Sequence, residues 1–512
     1  MLVAAGIFLS RIFGLVRQRV LAHYLGLSWA SDAFGAAFRI PNLLQNLLGE
    51  GVLSASFIPV YARLRAEGKG DEAERLANAI FGLLALVTAL IVLAGVLLAA
   101  PLTDLITGGF EGEKRALTIR LVRVLFPGAG LLVLSAWCLG VLNSHRKFFL
   151  SYAAPVVWNL AIILTVMFAT GRHDEARAAV AAALGSVIGS ALQFGVQIPT
   201  VVGLLHRIRP TLDTASEGVR TVLRSFTPVF VSRGVVQISA FVDTILASFL
   251  GNGPVAALGM AQVLYTLPVS LFGMSVSAAE LPAMSSATGS DTEIAQALRA
   301  RLDAGLRRIA YFVVPSAAAF LAFGGIIAAA LFQTGRFTAA DSQYVWAILA
   351  GSAVGLLAAT MGRLYSSAYY ALRDTRTPLR FAVVRVLLTI VLGFLCAIPL
   401  PPLLGLEPRW GAAGLTASAG VAGWVEFLLL RRGLNRRIGR SGAPARYLAL
   451  LWTAAAGGAA AGAALYAATP TLGPVLRAVA VLTPFGAGYL LLTFGFGLPE
   501  ARTLLGRLTR RR

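Results

Sequence analysis

Two apolar segments near the start of the chain carry charges that an apolar segment does not normally hold. The first has Arg11, Arg17 and Arg19; the second has Asp32, Arg39 and Glu50, with Asn46 among them. An ionisable side chain at bilayer depth costs about 2.5–3.5 kcal/mol on insertion scales, so it faces protein or a wet cavity. Seven residues of α-helix make nearly two turns and rise ~10.5 Å, which places Asp32, Arg39 and Asn46 on one stripe. Arg11 and Arg17 stand ~9 Å apart along a helix axis and ~120° apart around it, so they meet on one ligand only through the length of arginine. A guanidinium stays charged and pairs bidentately with phosphate oxygens. The chemistry on offer is recognition of a phosphate or diphosphate, in competition with cations that merely reach the lipid headgroups.

Further along, Arg233, Asp243, Glu280, Arg363 and Arg385 are the charges expected within apolar spans. Asp243 and Asp374 supply the oxygen ligands that a Na⁺ or proton site needs. Asp374 also reads as a plain turn residue in Arg373-Asp374-Thr375-Arg376-Thr377-Pro378. There is no Gly-x4-Gly-Lys-Ser/Thr, no His-Glu-x-x-His and no Cys-x-x-Cys. ATP-driven transport and metallohydrolysis therefore lack their parts, and an enzyme is not expected. Cys138 and Cys396 lie in apolar stretches as buried thiols, and the four histidines sit near helix ends, where solvated positions are expected.

The elements that must hold these groups are transmembrane helices. Of 512 residues, 57% are hydrophobic and 13% charged, where a soluble protein carries roughly 25% charged residues. A bilayer core of about 30 Å asks for about 20 apolar residues per helix, and the chain supplies about fourteen such spans. They include Leu2–Leu25, Trp29–Tyr61, Asn78–Leu102, Val255–Ala283 and Ile309–Leu331. The first reads as a membrane helix and not as a removable signal. The net charge of +21 is distributed as topology: arginine-rich connections alternate with sparse ones such as Lys114–Arg115, Arg336, Arg409 and Arg477. By the positive-inside rule this places both termini in the cytoplasm and makes nucleic acid an unneeded partner. The spans group as six, six and two: residues 1–210, 220–432, and 440–512 with a basic tail. Short matches support a duplication of the six-helix unit: Leu53–Pro59 against Val276–Pro282, Ser10-Arg11 against Ser232-Arg233, and Pro41 against Pro268. Two six-helix bundles of like orientation would be related by an axis along the membrane normal, with a cleft between them. Gly458 and Gly462 have the spacing of close helix packing.

The leading cluster closely resembles the MurJ/MviN lipid II flippases. The stretches are Ser10–Arg17 (SRIFGLVR), Ser31–Phe34 (SDAF), Phe38–Leu44 (FRIPNLL), Gly49-Glu50-Gly51 and Phe57-Ile58-Pro59, followed by Gly335–Thr338 (GRFT) and Ala371–Pro378 (ALRDTRTP). The resemblance implies membership of the multidrug/oligosaccharidyl-lipid/polysaccharide exporter superfamily, with two six-helix lobes and an added helix pair lining a groove for a lipid tail. It implies that Arg11 and Arg17 contact a diphosphate–sugar headgroup and that Asp32 is an acid needed for transport. It also suggests a monovalent cation in the second lobe, where Asp243 and Asp374 are compatible. Two departures stand out. Gln45 and Asn46 occupy the place where many members have a basic pair, and Gln262 and Val263 lie where many have an arginine.

The expectation is an inner-membrane flippase for an undecaprenyl-diphosphate-linked peptidoglycan precursor. It would work by alternating access with Na⁺ or H⁺ coupling and without ATP, with Arg11, Arg17, Asp32, Arg39, Asn46 and Glu50 at the headgroup. The competing readings are a flippase for another polyprenyl-linked glycan, a drug/cation antiporter of the same superfamily, and a membrane scaffold. The sequence names no protein partner.

Overall fold

The structure, a computed structural model, describes residues 2–169, 174–205, 207–286 and 289–503, except the side chains of 2–5, 7, 50, 169 and 227–240. Among these residues it is helical and contains no strand. Arg233, His173 and His206 therefore fall outside the described side chains, as does Glu50. The chain divides into two compact units: Met1–Ala256 with Thr334–Phe337, and Ala257–Gln333 with Thr338–Arg512.

The first unit is built from α1 (Leu2–Leu25), α2 (Trp29–Leu48), α3 (Glu50–Ala66), α4 (Gly70–Leu97), α5 (Ala99–Ile106), α6 (Gly112–Ser144), α7 (Phe148–Ala169), α8 (Glu175–Leu205) and α9 (Glu217–Ser248). Helix α6 is its centre, packing on α2, α3, α4, α5, α7 and α8. Trp137 of α6 is fully buried, and its indole N–H donates to the Ala77 carbonyl at 3.1 Å. A large ring in the core thus keeps its one donor satisfied. The span expected as one helix over Trp29–Tyr61 is two. Gly49 breaks it, since a Cβ there would lie 2.2 Å from the Gln45 carbonyl oxygen.

The second unit contains α10 (Pro254–Pro268), whose first turn lies in the first unit, then α11 (Ser275–Ser285), α12 (Asp291–Phe332), α13 (Ala339–Ala371), α14 (Arg376–Ala397), α15 (Leu400–Leu403), α16 (Gly411–Ile438), α17 (Ala445–Ala468) and α18 (Pro474–Gly495). A six-residue π-helical stretch, Val269–Met274, separates α10 from α11 directly after Pro268. Proline has no N–H to donate, and a widened turn accommodates the lost bond. Helix α12 begins well before the expected Ile309, at a Ser290/Glu293 capping box. Its 42 residues make ~63 Å of helix, about twice the bilayer core, and its arginine-bearing first half hid it from a search for apolar runs. Helix α14 leaves Leu387, Val391 and Phe394 exposed, as a lipid-facing helix does. The last pair packs on α12. Tyr489 donates to the Tyr311 carbonyl at 2.6 Å. Gly458 and Gly462 lie where a Cβ would meet the Phe485 carbonyl at 2.5 Å and the Phe323 ring at 2.8 Å.

Twelve helical spans among the described residues are long and apolar enough to cross a membrane. Helices α1, of 24 residues, and α9, of 32, are also long enough to cross, which agrees with a total of about fourteen spans.

His145 departs from the solvated expectation. His145 caps the end of α6 and shares a 2.9 Å hydrogen bond with the Tyr61 hydroxyl. Burial first, then Arg65 and Lys147, push its pKa from 6.5 down to about 4. Between those values the unfolded chain binds a proton that the native ring refuses. The ring's contribution to stability is therefore complete above about pH 6.5 and is lost as pH falls toward 4. Thermal unfolding followed from pH 7.5 to 4.5 should show a steeper loss in the parent chain than in His145→Gln; parallel curves would refute this.

Candidate functional site

Asp32 lies in the first turn of α2 and is fully buried. One carboxylate oxygen accepts from the Lys114 ammonium and from the Gly253 N–H, both at 2.7 Å; the other accepts from the Ala256 N–H at 2.8 Å. Gly253–Ala256 is the opening turn of α10, whose free N–H groups favour an anion. Lys114, at the start of α6, also donates to the Gly251 carbonyl at 2.9 Å and to Asn252 Oδ1 at 3.2 Å, over the Phe110 ring. Its three N–H donors meet three acceptors. Asp32, expected at the headgroup, thus has its oxygens engaged by protein donors, and Lys114 was missed because it stands in a connection sparse in positive charge. Next to this pair, Trp29, Glu111, Glu113 and Asn252 line a cavity of about 350 Å³.

The arginines are placed differently. Arg11 of α1 is exposed. Two turns on, Arg17 is half-buried with its guanidinium 4.8 Å from the centre of the Trp158 ring of α7, and its Nε is buried with no acceptor among the described residues. Trp158 is fixed in turn by its N–H bond to the Ser186 carbonyl, 3.1 Å. Arg39 of α2 donates to the Thr244 hydroxyl of α9, and the neighbouring Asp243 carboxylate acts on it through its charge. Asp243, expected as an ion ligand, is thereby a neighbour of Arg39 in the first unit. Asn46 is half-buried. Asp32 and Arg39 share the α2 stripe as expected, yet they serve different partners.

Asp374 belongs to the second unit. Its carboxylate accepts from the Thr377 N–H at 3.0 Å and hydroxyl at 2.7 Å, and pairs with Arg437 at 2.8 Å. These bonds, led by those of Thr377, hold its pKa down to about 2. This is the turn role that the local sequence also allowed. Among the described residues no three His, Cys, Asp or Glu side chains cluster as metal ligands.

A second tie involves the turn Thr334–Phe337. Arg336 donates its backbone N–H to the His23 carbonyl at 2.9 Å and pairs through its side chain with Glu175 at the start of α8. Thr334 Oγ1 lies 2.9 Å from His23 Nδ1. Gly335 has φ +56°, and a Cβ there would come 2.4 Å from the His23 carbonyl oxygen, so the turn requires glycine.

The family described as lipid II flippase MurJ matches residues 21–478. The lipid II flippase MurJ of Burkholderia cenocepacia is 31% identical over 436 residues, 84% of this chain and 82% of that one. Among solved structures, a lipid II flippase MurJ in an inward closed conformation has a TM-score of 0.78 at 24% identity, covering 98% of this chain and 99% of that one. An inward-facing multidrug resistance MATE family transporter has a TM-score of 0.62 at 18% identity, covering 83% and 95%.

Proposed function

Because this chain belongs to the lipid II flippase MurJ family, we propose that Arg11, Arg17 and Arg39 receive the diphosphate headgroup of its cargo, and that Asn46 and Glu50 serve the same headgroup. The protein is a multi-pass membrane transporter that moves lipid II across the membrane, and it is not an enzyme. The observation that carries the residue assignment is Arg17: a guanidinium held over Trp158 with a buried Nε–H that finds no acceptor among the described residues. A diphosphate oxygen is a fitting acceptor, because charge-assisted bonds to arginine are short and roughly twice as strong as neutral ones.

Asp32 has a positioning role in this reading: its carboxylate ties α2 to α6 and to the opening turn of α10. Transport proceeds by alternating access of two six-helix lobes, 1–210 and 220–432, with the helix pair of 440–512 guiding the lipid tail. For a ligand to drive that exchange it must bind the two states unequally. The membrane is the inner one and both termini are cytoplasmic, which the alternation of arginine-rich and sparse connections supports. An inside-negative potential then favours outward movement of the anionic headgroup by ~2.3 kcal/mol per charge per 100 mV. Asp243, beside Arg39, is the candidate for linking a monovalent cation to that step.

Expression in a strain depleted of its own lipid II flippase is expected to restore growth and normal cell shape. A well-expressed, membrane-inserted chain that leaves the strain lysing would refute the assignment.

A further inference from the structure

In the second unit, the ends of α12 and α17 and the starts of α13 and α18 enclose a niche of about 440 Å³. Phe323, Ile326 and Ala329 of α12 with Trp346 of α13 give it an apolar wall, and Gln333, Ser342 and Gln343 line it as well. Tyr466 and Arg477 also line it. The Trp346 ring is held by N–H bonds to the Phe320 and Leu321 carbonyls at 3.1 Å. Arg477 is half-buried, lies 3.7 Å from the Tyr466 ring centre, and donates through Nη2 to the Tyr466 carbonyl at 3.0 Å. Its Nε is buried with no acceptor among the described residues, and no acidic side chain lines the niche.

A cation with an unused donor beside Trp and Tyr rings, in a niche with apolar side chains along it, matches one class of molecule. Aromatic rings of this kind settle at headgroup level, where one end is apolar and the other wet. We propose that this niche binds one anionic phospholipid, its phosphate on Arg477 and an acyl chain along Phe323, Ile326 and Ala329. By the topology proposed above, the sparse connection next to Arg477 puts this lipid in the outer leaflet; the binding itself does not rest on that topology. The lipid would fill the seam where α17 and α18 join α12, securing the helix pair to its unit.

Native mass spectrometry of the detergent-purified chain, titrated with phosphatidylglycerol or phosphatidylcholine of equal chain length, tests this without any transport step. One phosphatidylglycerol should be retained at collision energies that strip phosphatidylcholine. Arg477→Ala should weaken its retention about fivefold, the equivalent of the ~1 kcal/mol that one cation contributes at an anionic membrane surface. Ala329→Phe, which fills the slot and leaves the charge, should weaken it as well, whereas Arg409→Ala should not. Equal retention of the two lipids, or retention unchanged in both niche variants, would overturn the proposal. So would displacement by millimolar inorganic phosphate, which marks a bare anion site, or preferential capture of undecaprenyl phosphate, which marks a station of the cargo. A variant that loses phosphatidylglycerol yet still supports growth leaves the transport assignment standing, so the two readings fail separately.

Discussion

Asp32→Asn is expected to unfold at markedly lower temperature than the parent chain and to fail in the depleted strain. The substitution leaves the Lys114 ammonium, whose side chain is only 10% exposed, without its counter-charge. Breaking a buried pair by removing one partner costs about 3–5 kcal/mol, because the remaining charge stays buried and unpaired. The amide also offers one acceptor oxygen where the carboxylate supplied two, so the Gly253 and Ala256 N–H groups can no longer both be served. Removing both charges is much milder in principle, since replacing a buried pair with apolar groups is often neutral. The double variant Asp32→Asn/Lys114→Met should accordingly recover at least half of the lost stability. Unfolding curves in detergent decide the matter: a single variant as stable as the parent, or a double variant no better than the single, would mean that the pair is not what holds α2 to α6.

Arg17→Ala should show the opposite profile, a severe transport defect with little loss of stability. Nε finds no acceptor among the described residues, so no bond to it is lost when the guanidinium is removed. What disappears is a charged bond to the cargo, worth about 1.5–3 kcal/mol, or roughly ten- to a hundredfold in affinity. Arg17→Lys is expected to rescue poorly, because a point charge neither forks onto a phosphate nor lies flat on Trp158. Growth of the depleted strain, with expression checked by immunoblot, is the readout. Normal growth with Arg17→Ala would remove the residue from the headgroup site.

How far the residues announced this arrangement depended on distance along the chain. The bounds of α1 were legible because apolar residues run from Leu2 to Leu25 on either side of its arginines and need no neighbour to define them. The first half of α12 was not, because its arginines look like a connection and only the Ser290/Glu293 cap marks the helix start. Arginine chemistry near α1 was visible from residue type alone. The partners of Asp32 were not: Lys114 lies 82 residues away and the Ala256 N–H 224, and a single sequence carries no signal for pairings at that range. The same holds for Arg39: nothing in a single sequence sets it beside Asp243 of α9.

The turn at Thr334–Phe337 bears on how such a protein can be taken apart. It lies between two stretches of the second unit yet belongs to the first, so the polypeptide changes unit at residue 256, again at 333 and once more at 337. No single cut yields two self-sufficient pieces. A hybrid gene that joins the front of this chain to the back of a relative must import four residues from the far side of the junction, or lose the anchoring of His23 and Glu175. Inheritance of this architecture is therefore expected to favour whole genes over exchanged halves.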